Sequence, residues 1–320
     1  MARPRAVVVG AGVIGMTSAI RLLEAGFDVR IVARERSPHT TSDVAGAIWY
    51  PYLADPPERV LPWSRATREA LATLAAYPSG VRQIRLLELF AGPAEEPWWK
   101  AALPGFAWAR DDELPAGYRA AYDLRVPLID TSVHMPWLAR RVSALGGRIA
   151  RGTVRSLAEG FGDAAVLVNC AGVDAGTLAD DTSVVPIRGQ VARLAPVPGV
   201  TTALVDESDP GRPVYVIPRD ADIIVGGTAQ RGARDRTPDP ETARTMLARA
   251  RALEPRLAGA RVLSHAVGLR PGRPAVRLEL EWIAGRPVVH NYGHGGSGFT
   301  LAWGCADDVA RLAAEATAAP

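Results

Sequence analysis

Gly10, Gly12 and Gly15 form a Gly-x-Gly-x-x-Gly pattern directly after the apolar run Ala6-Val7-Val8-Val9. Gly10 permits a tight turn, Gly12 lets backbone approach a pyrophosphate, and Gly15 lets a following helix pack closely on a sheet. The unpaired amides at the start of such a helix suit a pair of phosphates, so the chemistry implied is dinucleotide binding. An acidic residue at the end of the next strand would ordinarily hold the adenosine ribose, but here the order is Ala33-Arg34-Glu35. Either Glu35 takes that role or Arg34 contacts the ribose or phosphate side. A second glycine cluster, Gly293-His294-Gly295-Gly296-Ser297-Gly298-Phe299-Thr300, stands near the carboxyl end. It offers another helix start that could reach the far part of an extended dinucleotide.

The elements around these residues predict the architecture. Met16 to Ala25 reads as an amphipathic helix ended by Gly26, and Val29-Arg30-Ile31-Val32 as a second short strand, so the order is strand, glycine turn, helix, strand. Regular alternation then stops. Residues 50–63, rich in Pro, Tyr and Asp, mark an excursion, and Arg65 to Leu74 is helical in pattern. Arg82 to Phe90 and the tryptophan-rich stretch from Trp98 to Trp108 suggest strands and connections of a second domain. Asp130-Thr131-Ser132 can cap a helix from about Met135 to Leu145. The almost wholly apolar run from Ala164 to Gly172 reads as a central parallel strand. Ile187 to Leu194, Val214 to Pro218 and Ile223 to Gly227 read as antiparallel strands, Pro240 to Leu253 as a helix, and Leu301 to Ala316 as another. The fold class expected is α/β, a Rossmann-like nucleotide domain interrupted by a mixed-sheet substrate domain. The expected boundaries are 1–50, 140–180 and 265–320 for the first, and 51–139 and 181–264 for the second. Such an interruption with a late glycine cluster favours a flavin dinucleotide, a nicotinamide-dependent dehydrogenase being the alternative.

Composition narrows the class. The chain has 320 residues, 48% hydrophobic and 22% charged, enough to bury a full core in one large or two medium domains. Lysine and arginine total 37 against 34 acids, a formal charge of +3 that by itself does not imply nucleic acid. The arginines are dispersed among acids rather than gathered with aromatic platforms. The two cysteines, Cys170 and Cys305, lie in apolar surroundings and are expected as buried thiols in a reducing compartment. No apolar run is long enough to span a bilayer, and no nucleotide Gly-Lys-Ser/Thr loop, His-Glu-x-x-His metal motif or Gly-x-Ser-x-Gly nucleophile elbow occurs. No metal, nucleic-acid partner or membrane association is expected, and the location expected is the cytoplasm.

Beyond these local signals, the chain resembles the D-amino-acid oxidases and the related D-aspartate oxidases over essentially its whole length. The residues that carry the resemblance run from Val8 to Gly15 and from Thr40 to Trp49. They continue in Val214-Tyr215-Val216-Ile217-Pro218, in Gly268-Leu269-Arg270-Pro271 with Arg273-Pro274 and Arg277-Leu278-Glu279, and in the His290 to Gly296 segment. The resemblance implies noncovalent FAD and oxidation of a D-amino acid to an imino acid, by hydride transfer from the α-carbon to flavin N5. Hydrolysis would give a 2-oxo acid and ammonia, and molecular oxygen would return the flavin to its oxidised form with release of hydrogen peroxide. It also implies a possible homodimer. Such a site needs no acid or base at the α-carbon; its work is orientation.

Residue by residue, the resemblance assigns Arg270 to the substrate carboxylate, Tyr215 to the same group through its hydroxyl, and the Gly296 carbonyl to the amine. It places Gly10, Gly12 and Gly15 at the pyrophosphate; Val13 and Ile14, and Arg34 and Glu35 with the alternative stated above, are also expected to bind the cofactor. Thr41 and Ser42 are assigned to the phosphate and ribityl region, Ala45, Gly46 and Trp49 beside the flavin ring, and Val154 at adenine. Gly295, Gly298, Phe299 and Thr300 complete the flavin contacts, the Thr300 hydroxyl being able to donate to a flavin carbonyl. Trp49 could instead be a core aromatic, and His294 needs no proton role. Two departures bear on substrate. The segment from Val205 to Pro213 is short and lacks the second tyrosine of the mammalian lid, so access is expected to be open. The arginine of acidic-substrate relatives is replaced by Ala229, so neutral D-amino acids are expected unless Arg212 or Arg231 reaches inward. Oxidases of acidic D-amino acids, of glycine or of sarcosine, and a nonenzymatic flavin-binding protein, are the competing readings.

Overall fold

The first β-branched run builds the strand Arg5–Val9 at the centre of a six-stranded sheet, and the structure, a computed structural model, describes residues 3–51, 54–209 and 212–318. Pro210 and Gly211, in the short lid segment singled out above, lie outside the described residues, as do Tyr52 and Leu53 in the excursion after Tyr50. The six strands run in the order Arg277–Ile283, Arg286–Tyr292, Val166–Asn169, Arg5–Val9, Asp28–Ala33 and Arg148–Arg151. All pair in parallel except the Arg277–Ile283 hairpin arm. Val166–Asn169, buried at every position, lies between two parallel neighbours, which is why it reads as an unbroken apolar run. The helix Val13–Glu24 covers this sheet and packs on the carboxyl-terminal helix Gly298–Ala318.

The second layer is a nine-stranded mixed sheet. Its long strands are Val81–Phe90, Ala120–Ile129, Val185–Leu194 and Val262–Gly272, with Ala203–Asp206, Val214–Pro218 and Ile223–Gly226 between them. The helix Pro240–Leu253 starts at the Asp239 cap and seals one face through Met246 and Leu247 against Leu194, Val216 and Val225. The fold is thus α/β, with a Rossmann-like region beside a separate mixed-sheet region.

Several elements differ from expectation for local reasons. The helix expected to begin at Arg65 begins at Pro57, because proline in a first turn gives up no hydrogen bond, and it runs to Leu74. Asp130 caps the helix Thr131–Ala144 by accepting from the Ser132 amide, so that helix opens four residues before Met135. The stretch from Trp98 to Trp108 yields only a short turn of helix and the two-residue strand Ala107–Trp108. Val262–Gly272 pairs along its length with Val185–Leu194 in the larger sheet, so residue 265, the expected opening of the last cofactor segment, falls inside a strand of that sheet. Residue 140 likewise lies within Thr131–Ala144. Among the described residues no helix is long and apolar enough to cross a membrane.

Candidate active site

Where the two sheets meet, a cavity of about 760 Å³ runs from the glycine turn to the strand bearing Arg270. Its first end is built by backbone. Gly10 adopts φ +111°, and a Cβ there would come 2.3 Å from the Cys170 carbonyl. Gly12 caps the helix Val13–Glu24, whose first turn carries no acid, leaving a positive helix end facing the cavity. The Val13 amide is held by the Ser42 hydroxyl at 2.9 Å, so Ser42 sits at the place a phosphate oxygen would occupy or adjoin. Ile14, Thr41, Arg34, Glu35 and Val154 also line this end. Arg34 pairs with Asp174 at 2.8 Å and Glu35 with Arg236 at 3.0 Å, so both candidates for the ribose flank the cavity with protein partners of their own.

Ala45, Gly46, Gly295, Gly296, Gly298 and Phe299 line the middle and far parts. Three expected contacts are absent from the wall. Gly15 lies beneath the turn, where a Cβ would come 2.0 Å from the Gly10 carbonyl, so its task is close packing rather than contact. Trp49 is fully buried, donates its indole N–H to the Ser64 carbonyl at 2.8 Å and meets Trp99 edge-on; it is a core aromatic. The Thr300 hydroxyl donates to the Tyr50 carbonyl at 2.7 Å and accepts from the Tyr50 amide at 3.0 Å, which ties the helix start to the opposite loop and leaves no proton for a flavin carbonyl.

At the far end Arg270 and Tyr215 converge. The guanidinium Nη1 donates to the Thr228 carbonyl at 2.9 Å, which fixes one edge of its fork. Tyr215 lies beside Arg270; burial raises its phenol above the ordinary value while the Arg270 charge opposes that rise, so the hydroxyl keeps its proton. Backbone makes room for both. A Cβ on Gly226 would strike the Tyr215 ring at 2.0 Å, and one on Gly189 would strike the Arg270 guanidinium at 2.6 Å. Neither glycine, nor Tyr50 and Glu207 on the cavity wall, stands out in the sequence; only the pairing of distant strands brings them here. Arg212 and Arg231 are exposed, and Ala229 is not on the wall, so the cavity gains no arginine from those positions.

The residues present fit a flavin dinucleotide. The glycine cradle and helix start suit a pyrophosphate, and two buried polar atoms near the late glycine cluster, His294 Nε2 and Asn291 Oδ1, have no hydrogen-bond partner among the described residues. Burial pushes the His294 imidazole down to about 3 and keeps it neutral, consistent with hydrogen bonding rather than proton transfer. No metal-ligand cluster occurs among the described residues.

The family described as FAD dependent oxidoreductase matches residues 5–312 of this chain. The chain belongs to that family. A D-amino-acid oxidase of Rubrobacter xylanophilus is 51% identical over 315 residues, covering 98% of this chain and 96% of the relative. A D-amino-acid oxidase of Streptomyces coelicolor is 44% identical, with 96% of each chain covered. In fold, the glycine oxidase of Geobacillus kaustophilus superposes with a TM-score of 0.81 at 20% identity, over 98% of this chain and 95% of that one. The chain is therefore an FAD-dependent oxidoreductase of D-amino-acid-oxidase type, and its cavity joins a dinucleotide cradle to an arginine and a tyrosine.

Proposed function

We propose that this protein is an oxidase of D-amino acids with uncharged side chains, using noncovalently held FAD and yielding a 2-oxo acid, ammonia and hydrogen peroxide. The observation that carries this reading is the convergence of Arg270 and Tyr215 at the end of the cavity opposite the glycine turn. The planar guanidinium, steadied by Thr228, binds the substrate carboxylate as a fork, and the protonated Tyr215 hydroxyl donates to the same group. The Gly296 carbonyl accepts from the substrate amine. Together these groups fix carboxylate and amine, so the α-hydrogen has one direction left to point, and orientation becomes the main contribution of the chain. FAD supplies the two-electron acceptor that molecular oxygen then reoxidises. The relatives named D-amino-acid oxidase support the substrate class, and the lack of a cavity arginine from positions 212, 229 or 231 disfavours a side-chain carboxylate.

The visible spectrum of the purified holoprotein tests this under anaerobic addition of D-alanine, with L-alanine as control. Loss of the oxidised-flavin band near about 450 nm with the D-isomer alone is expected, because the electrons must enter the cofactor. Bleaching by both isomers, or by glycine but not D-alanine, would overturn the assignment.

A further inference from the structure

We propose that Glu207, with Glu88 behind it, forms an acidic side-chain subsite that also admits D-amino acids ending in a cationic amine, such as D-lysine. This rests on the oxidase reading above, because it is the carboxylate clamp at Arg270 that would aim a substrate side chain toward the acids.

Glu207 lines the cavity together with Val205, Pro213, Tyr50, Tyr215 and Arg270. It follows the strand Ala203–Asp206, which pairs in parallel with Val81–Phe90 so that Val205 stands opposite Glu88. Glu88 is 6% exposed and accepts a hydrogen bond from the Tyr50 hydroxyl, which thereby links the second acid to the cavity wall. No hydrogen bond or ion pair to the Glu207 carboxyl occurs among the described residues, and Arg270 is the cation that acts on it.

The charges at this end do not balance once a substrate binds. Arg270 is the shared counter-charge, and a substrate carboxylate on its fork neutralises it. Glu207 on the wall and Glu88 buried behind Tyr50 are then left without a cation, a state relieved by taking up protons or by receiving a positive group beside Glu207. Burial and Glu88 together push Glu207 up to about 8, and burial pushes Glu88 up to about 7, as expected of acids short of a partner. A terminal ammonium supplies the missing charge and three donors, whereas a side-chain carboxylate adds a third like charge. The wall also carries Arg34, Arg155, Arg234 and Arg236, of which Arg34 is paired with Asp174 and Arg236 with Glu35; the cation acting on Glu207 is Arg270.

D-Norleucine and D-lysine share a four-carbon side chain, to which lysine adds only the terminal ammonium, so the change in the ratio of their kcat/KM values between enzyme variants reports on that ammonium. The holoenzyme, Glu207→Gln and Glu207→Lys are compared, each with flavin content verified by absorbance. The ratio of D-lysine to D-norleucine is expected to fall by about tenfold in Glu207→Gln, the worth of one hydrogen-bonded charge. In Glu207→Lys it falls further, and oxidation of D-glutamate rises. A ratio within twofold of wild type in both variants overturns the subsite, as does a wild-type enzyme that oxidises D-norleucine but not D-lysine. If the flavin-loaded wild type oxidises neither, the oxidase reading itself fails and the subsite falls with it.

Discussion

Arg270 is placed by a residue that has no side chain. Gly189 lies on the strand paired with that of Arg270, and a methyl group there would sit 2.6 Å from the guanidinium Nη1 and 2.7 Å from Cζ. The guanidinium is the far end of a flexible side chain, so Gly189→Ala would shift the fork rather than break the strand. A clamp displaced by about 1 Å costs on the order of 100-fold in rate, because the α-hydrogen no longer points at the acceptor. We therefore expect Gly189→Ala to lower kcat/KM for D-alanine by about that factor with flavin still bound, measured by steady-state oxygen consumption. A value within twofold of wild type would sink this account of the clamp. At the same scale, Trp49 and Thr300 show what residue type does not reveal. Both stand in segments that approach the cavity, yet the Trp49 indole is spent on Ser64 and the Thr300 hydroxyl on Tyr50.

The glycine turn is an element whose three glycines do two different jobs. A Cβ on Gly15 would press into the Gly10 carbonyl at 2.0 Å, backbone against backbone, whereas one on Gly12 would meet only the Ser42 hydroxyl at 3.2 Å. Gly15→Ala is expected to destabilise the apoprotein by about 1–3 kcal/mol, the usual cost of overpacking. Gly12→Ala should leave the apoprotein melting temperature near wild type and still shrink the rise in melting temperature on adding FAD, because its methyl group enters the pyrophosphate space. Thermal melts with and without FAD separate the two; equal apoprotein losses would contradict this division. The turn was legible because its evidence is local: strand, glycines, helix and next strand adjoin in sequence. The antiparallel runs around Tyr215, the buried parallel strand Val166–Asn169 and the helix Pro240–Leu253 were legible for the same reason. The rest of the site was not. Gly189 and Gly226 acquire meaning only when Val185–Leu194 pairs with Val262–Gly272 and Ile223–Gly226 with Val214–Pro218, Glu207 when Ala203–Asp206 pairs with Val81–Phe90, and Tyr50 when Ile48 bridges to Leu128; no local spacing encodes those partnerships.

Across the whole molecule, the substrate end of the cavity leaves a signature in how stability depends on pH. Glu88 is pushed up to about 7 by burial, against the lowering effect of its bond from Tyr50, and Glu207 to about 8. A carboxyl whose folded-state value lies above its unfolded value contributes stability that is complete below the unfolded value and disappears as pH rises through the folded one. The window to examine is therefore about pH 6.5 to 8, in which both acids pass through their folded-state values. Below it, His134 and His294, pushed down to about 4 and about 3 by burial, act in the opposite sense: the unfolded chain takes up their protons first, and stability falls as pH falls. Within that window the histidines of the unfolded chain lose the last of their protons, and toward its upper edge the buried Cys170 and Cys305 thiols, raised by burial, begin to act in the same sense as the acids; wild type and Glu88→Gln share these contributions, so the difference between the two proteins reports the acids. The melting temperature of the wild type should decline across that window, and Glu88→Gln should decline less, because the variant has one fewer carboxyl to ionise and relieves Glu207 of a like charge. Calorimetric melts of both proteins at matched ionic strength check this. Parallel declines would mean that the acids are hydrated in the folded state, and the closed acidic end that would distinguish this cavity from a simple apolar pocket would have to be abandoned.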